Sequence, residues 1–89
     1  MNDDMNAEDI FQNLKEVANS DDAVHMRAYM KNQFEFLGVK TPIRRKLSKV
    51  FFKKNSSPAI YWKFIHQAWE NPYREMQYVV LDYLQLKQK

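Results

Sequence analysis

The chain has no cysteine among its 89 residues. Disulfides and thiolate metal sites are excluded, and a reducing compartment fits. It has one glycine, Gly38, and three prolines, Pro42, Pro58 and Pro72. So few turn residues argue against a β-rich fold and for helices joined by short turns. No apolar run approaches the roughly 20 residues needed to span a membrane. The opening stretch, MNDDMNAEDIF, lacks the basic and apolar segments of a signal peptide. The expected location is the cytoplasm, with no membrane partner. Acids are missing where bases are densest: residues 38–54 hold seven bases and no acid. Residues 1–22 reverse this, with seven acids against Lys15 as the one base. Such asymmetry points to one face that attracts polyanions, the plainer alternative being a solvated helix face.

What is present favours a folded chain. Hydrophobic residues make up 45% of the sequence and aromatics 15%, enough for a core. A chain this short buries only about 60% of its unfolded surface, so it makes at most one small domain. An acidic leader is expected over residues 1–7, and a single helical domain over 8–89.

Five helices can be read from apolar spacing. The first is expected over about 8–19, with Ile10, Phe11, Leu14, Val17 and Ala18 on one face. The segment NSDD closes it and caps the second, expected over about 22–34 with Val24, Ala28, Met30 and Phe34 apolar. That helix is expected to end near Gly38 as a left-handed C-cap. Each of the last three helices then opens on a capping residue followed by proline: Thr41–Pro42, Ser57–Pro58 and Asn71–Pro72. Their apolar positions are Ile43, Leu47, Val50 and Phe51, then Tyr61, Phe64, Ile65, Ala68 and Trp69, then Met76, Val79, Val80, Tyr83 and Leu84. This is an all-α pattern. Stacked antiparallel pairs of the HEAT-like kind and a compact bundle both fit it. The fifth helix carries Tyr78, Leu81 and Leu86 beyond its main stripe and has no stop signal. Its end is therefore expected to meet further C-terminal helices or a partner.

On the third helix, Arg45, Lys49 and Lys53 form one i, i+4, i+8 row opposite the apolar arc. Like charges at that spacing cost a few tenths of a kcal/mol per pair, so the row calls for an anion. Phosphates along a nucleic-acid strand are suitable anions. The start of the helix, with Lys40, Arg44 and Arg45 around it, adds a small anion site. No catalytic constellation accompanies it. His25 and His66 have no ligand partner at metal spacing and read as surface or packing residues. Asp82 reads as a solvated or paired acid. Trp69 belongs to a core stripe, and Trp62 to the packing beside it. No metal or cofactor is expected.

Two segments carry a resemblance. YMKNQFEFLGVKTPIRRKLSK (residues 29–49) and WENPYREMQYVVLDYL (residues 69–84) closely resemble the beginning of the AlkD-like DNA alkylation repair proteins. The resemblance covers nearly the whole chain after the leader. It implies a HEAT-like solenoid whose concave basic face holds duplex DNA. It also implies a glycosylase that removes cationic alkylated purines, stabilising a positively charged sugar with one carboxylate and aromatic faces. The family does this without enclosing the base in a deep pocket. The family's catalytic Asp and its neighbouring Trp lie after the segment matching residue 84, so no residue here matches them. Asp82, Trp62 and Trp69 are not substitutes. The positions that carry over to DNA contact are Tyr29, Lys40, Thr41, Arg44 and Arg45. Lys49 joins them from the helical wheel alone. The chain is thus expected to supply DNA-backbone contacts as the N-terminal portion of such a protein, and to be inactive alone. The alternative is a small helical interaction module, self-associating through its last helix.

Overall fold

A computed structural model describes residues 5–55 and 59–88. They form five helices: α1 (Ala7–Glu16), α2 (Ser20–Tyr29), α3 (Thr41–Lys54), α4 (Trp62–Trp69) and α5 (Arg74–Lys87). The fold is all-α. An isolated bridge between Glu35 and Tyr73 is the nearest thing to sheet pairing among the described residues.

The first two helices start where asparagine can cap them. Asn6 Oδ1 accepts from the Glu8 N–H at 2.9 Å, and Asn19 Oδ1 accepts from the Asp22 N–H at 3.0 Å. Acids follow in both first turns, Glu8 and Asp9 on α1 and Asp21 and Asp22 on α2. Both devices satisfy free N–H groups and favour the positive end of the helix dipole.

The core lies among α1, α3, α4 and α5. Helix α1 packs on α3 and α4, and each of these packs on α5. Ile10 and Leu14 of α1, Phe64 and Ala68 of α4, and Met76 and Val79 of α5 are completely buried. Phe51, Phe52, Phe64 and Tyr83 form an aromatic cluster with ring centroids 5.2–6.3 Å apart. Such pairs are each worth about 0.5–1.5 kcal/mol beyond the area they bury. The Tyr83 hydroxyl also accepts from the Tyr61 N–H at 3.0 Å, a bond at the start of α4.

Several local expectations shift. Met5 is buried and Asn6 is a cap, so the packed part of the chain includes residues assigned to the leader. Helix α2 ends at Tyr29 rather than near residue 34, because Lys31 and Asn32 take left-handed φ values of 56° and 59°. It buries only Ala23, while Val24 and Ala28 face solvent. Gly38 is therefore not a helix C-cap. The cap of α3 is Lys40, whose carbonyl already accepts from the Arg44 N–H at 2.9 Å; Thr41 is the first helical residue. Ser57 and Pro58 lie outside the described residues. At α5, Asn71 Oδ1 accepts from the Tyr73 N–H at 2.9 Å, and the helix begins at Arg74.

The face of α3 is also rotated by about one residue. Its buried positions are Arg44, Ser48, Phe51 and Phe52, whereas Ile43 and Val50 are 44% and 56% exposed. The reason lies on α5, where a carboxylate receives Arg44. By contrast, the α5 stripe Met76, Val79, Val80 and Tyr83 is buried as its spacing predicts.

Candidate functional site

The segment between α2 and α3 is held from α5 by one side chain. Glu75 is 1% exposed. Its Oε1 accepts from the Leu37 N–H at 2.9 Å, and its Oε2 accepts from the N–H groups of Gly38 and Val39 at 2.9 and 3.1 Å. A buried carboxylate is costly unless it is hydrogen-bonded, and here three donors converge on it. The neighbouring Arg74 adds two ties: its N–H donates to the Glu35 carbonyl at 2.8 Å, and its guanidinium lies 4.1 Å from the Phe34 ring centroid.

Gly38 is what lets this segment reach α2. Its φ is +90°, and a Cβ there would sit 1.8 Å from the Asn19 carbonyl oxygen and 2.8 Å from the Ala23 nitrogen. Only glycine accepts both the conformation and the contact. The Asn19 N–H in turn donates to the Leu37 and Gly38 carbonyls at 3.2 Å.

Beyond this joint, α3 and α5 face each other along a seam. Arg44 crosses it. Its Nε and Nη2 donate to Oδ2 and Oδ1 of Asp82 at 3.1 and 3.2 Å. The same guanidinium lies 5.2 Å from the Tyr78 ring centroid, and that of Arg74 lies 5.4 Å from it.

Three recesses follow one another along the seam as a groove, neighbours sharing lining residues. The first, about 230 Å³, includes Tyr29, Thr41, Arg44 and Tyr78 in its lining. The second, about 400 Å³, shares Thr41, Arg44 and Tyr78 with it and adds Arg45 and Asp82. The third, about 740 Å³, shares Arg45 and Asp82 with the second and adds Lys49, Lys53, Phe52 and Leu86.

Five of the six expected contact residues line this groove: Tyr29, Thr41, Arg44, Arg45 and Lys49. Lys40 stands exposed at the α3 cap, with its Nζ 4.0 Å from Asp22 Oδ1. Their states differ. Tyr29 is 87% exposed. Arg45 and Lys49 are exposed, as is Lys53 in the same row. Arg44 is buried and its charge is answered by Asp82, so it braces the groove rather than offering a free cation. Asp82 is correspondingly a paired acid, as its position beside the apolar stripe suggests.

Glu75 was not legible as a site residue, although one signal existed. It stands four positions before Val79 and eight before Tyr83, on the same buried face. Arg44 likewise shares its face with Ser48 and Phe52. Trp62 and Trp69 are both largely exposed, and Trp69 does not join the core its spacing predicts. Among the described residues no cluster of His, Cys, Asp or Glu could hold a metal, and no helix is long and apolar enough to cross a membrane.

No curated protein matches the chain. A family model does: the DNA alkylation repair enzyme family matches residues 10–89, which includes α2 to α5, the joint and the groove. The chain belongs to the DNA alkylation repair enzyme family.

Proposed function

We propose that this chain holds duplex DNA by its phosphate backbone, as part of an AlkD-like, HEAT-like glycosylase acting on cationic alkylated purines. The observation that carries this reading is the row Arg45, Lys49 and Lys53. The ion pairs among the described residues, Lys40 with Asp22 and Arg44 with Asp82, leave these three cations without a carboxylate. All three line one groove. Phosphates are the ligand that offsets their mutual repulsion. Tyr29, Lys40 and Thr41 extend the strip at its other end. Asp82 is engaged by both bonds from Arg44, which fits a bracing role and not attack at a sugar. Cleavage of the glycosidic bond is thus assigned to none of these residues. The test is binding of a short mixed-sequence duplex across a salt titration. A steep linear fall of log K with log salt supports the reading, and binding indifferent to salt refutes it.

A second reading has its own observation. Leu81 and Leu86 of α5 are both about half exposed. They suit a protein-binding face, through which the chain would self-associate or meet further helices. Sedimentation separates the readings: a monomer that binds DNA favours the first, and a stable dimer indifferent to DNA favours the second.

A further inference from the structure

We infer that Glu75 is a positioning residue for DNA contact: from inside the fold, it sets Lys40 at the α3 cap and, beside it, the end of the groove that Tyr29 and Thr41 line. This rests on the DNA-holding reading above. Three observations carry it. The Glu75 carboxylate is enclosed and spends both oxygens on the N–H groups of residues 37–39. These residues run directly into Lys40 and Thr41, where α3 begins. Gly38, the middle of the three, is wedged against Asn19 and Ala23 at the start of α2. Helix α2 buries no residue but Ala23, so this joint is its main hold on the rest of the fold.

One carboxylate therefore ties α5, the joint and α2 together. A side chain needed only to fill space would be apolar, since enclosing a charge costs free energy that packing alone does not repay. What a carboxylate adds is direction: it fixes where three successive N–H groups point. It also fills that cluster of donors with the protein's own anion. DNA phosphates are then left to the side chains of Lys40 and Thr41, not to the backbone of residues 37–39.

The two ends of the groove depend on different supports. Arg45, Lys49 and Lys53 ride on the packing of α3 against α5 and on the Arg44–Asp82 bond. Tyr29, Lys40 and Thr41 depend on Glu75. Loss of the carboxylate should release the second end and spare the first.

The test is Glu75→Gln in the full chain, with Val79→Ala as a core variant outside the groove. A glutamine keeps the size but has one acceptor oxygen, so it cannot hold three N–H groups. The Glu75→Gln chain is expected to lower the salt slope of duplex binding by about one, the loss of one phosphate contact. The amides of Leu37, Gly38 and Val39 are expected to exchange at least about tenfold faster than in the parent. Val79→Ala should weaken the fold and leave the slope unchanged. A parent slope in Glu75→Gln, or an equal drop in Val79→Ala, overturns the inference while leaving the DNA reading intact. Absence of salt-dependent binding in the parent overturns both. If Glu75→Gln does not fold, exchange in the parent decides: amides of residues 37–39 protected like those of α5 support the anchor, and unprotected ones refute it.

Discussion

Arg44 and Asp82 meet in a two-bond pair across the α3–α5 seam, at 3.1 and 3.2 Å, with only 9% and 18% of their side chains exposed. Desolvation offsets much of the attraction in such a pair, so its presence stabilises less than its removal destabilises. Asp82→Ala leaves a guanidinium enclosed without its partner. The expected cost is on the order of 3 kcal/mol in urea unfolding. The double variant Arg44→Leu with Asp82→Leu should recover most of that loss, because apolar groups there need no partner. A double variant as unstable as the sum of the singles would mean that the two side chains are not coupled, and would refute the pair as a brace between α3 and α5.

Gly38→Ala should be among the most damaging single changes available. The added carbon meets backbone atoms at 1.8 and 2.8 Å, which no side-chain rotation can relieve. The left-handed φ of 90° adds its own strain for any L side chain. We expect a loss of at least about 3 kcal/mol, measured by thermal or urea unfolding. An alanine variant of parent stability would mean that the joint does not touch α2.

What the sequence revealed depended on how far apart the interacting residues lie. Asn19 caps a helix three residues away, and the Met76–Tyr83 stripe repeats within a few turns. Both are local patterns that a helical period exposes. Glu75 bonds to residues 36–38 positions distant, and Arg44 to one 38 positions distant. No local period reports such partners: Arg44 reads as a free cation at the start of α3, and nothing local marks Glu75 as the anchor of residues 37–39. The rotation of α3 follows from the same blind spot. A wheel that counts only apolar residues turns Ile43 and Val50 inward, whereas the helix turns Arg44 and Ser48 inward to meet α5. The cationic row is exposed in either case: it flanks the observed buried arc at Phe52, where the α3–α5 seam opens, and Arg45, Lys49 and Lys53 all reach solvent there.

The helix starts give a sharper test, because sequence and structure rank two caps differently. Asn19 accepts a hydrogen bond from the Asp22 N–H, whereas no side chain caps α3, whose cap residue is Lys40. Asn19→Ala should cost about 1 kcal/mol. Thr41→Ala should change stability by less than about 0.5 kcal/mol, since Thr41 is the first helical residue and makes no capping bond. Urea unfolding followed by circular dichroism measures both. Equal costs would place the cap of α3 at Thr41 after all.

Arg45, Lys49 and Lys53 should behave as interchangeable phosphate contacts. Each projects from α3 into solvent and holds no acid partner among the described residues. Replacing any one by alanine should leave folding stability within about 0.5 kcal/mol of the parent. It should also relieve some like-charge repulsion along the row. Binding to duplex DNA should weaken alike for all sequences, and the salt slope should fall by about 0.9 for each lost contact. Fluorescence anisotropy at several salt concentrations reads both quantities. Arg44→Gln is the informative contrast. Its charge is already answered by Asp82, so it should reduce stability and leave the slope nearly unchanged. A drop in slope at Arg44 equal to that at Lys49 would mean that DNA draws Arg44 away from Asp82. In that case the carboxylate would be freed when DNA binds.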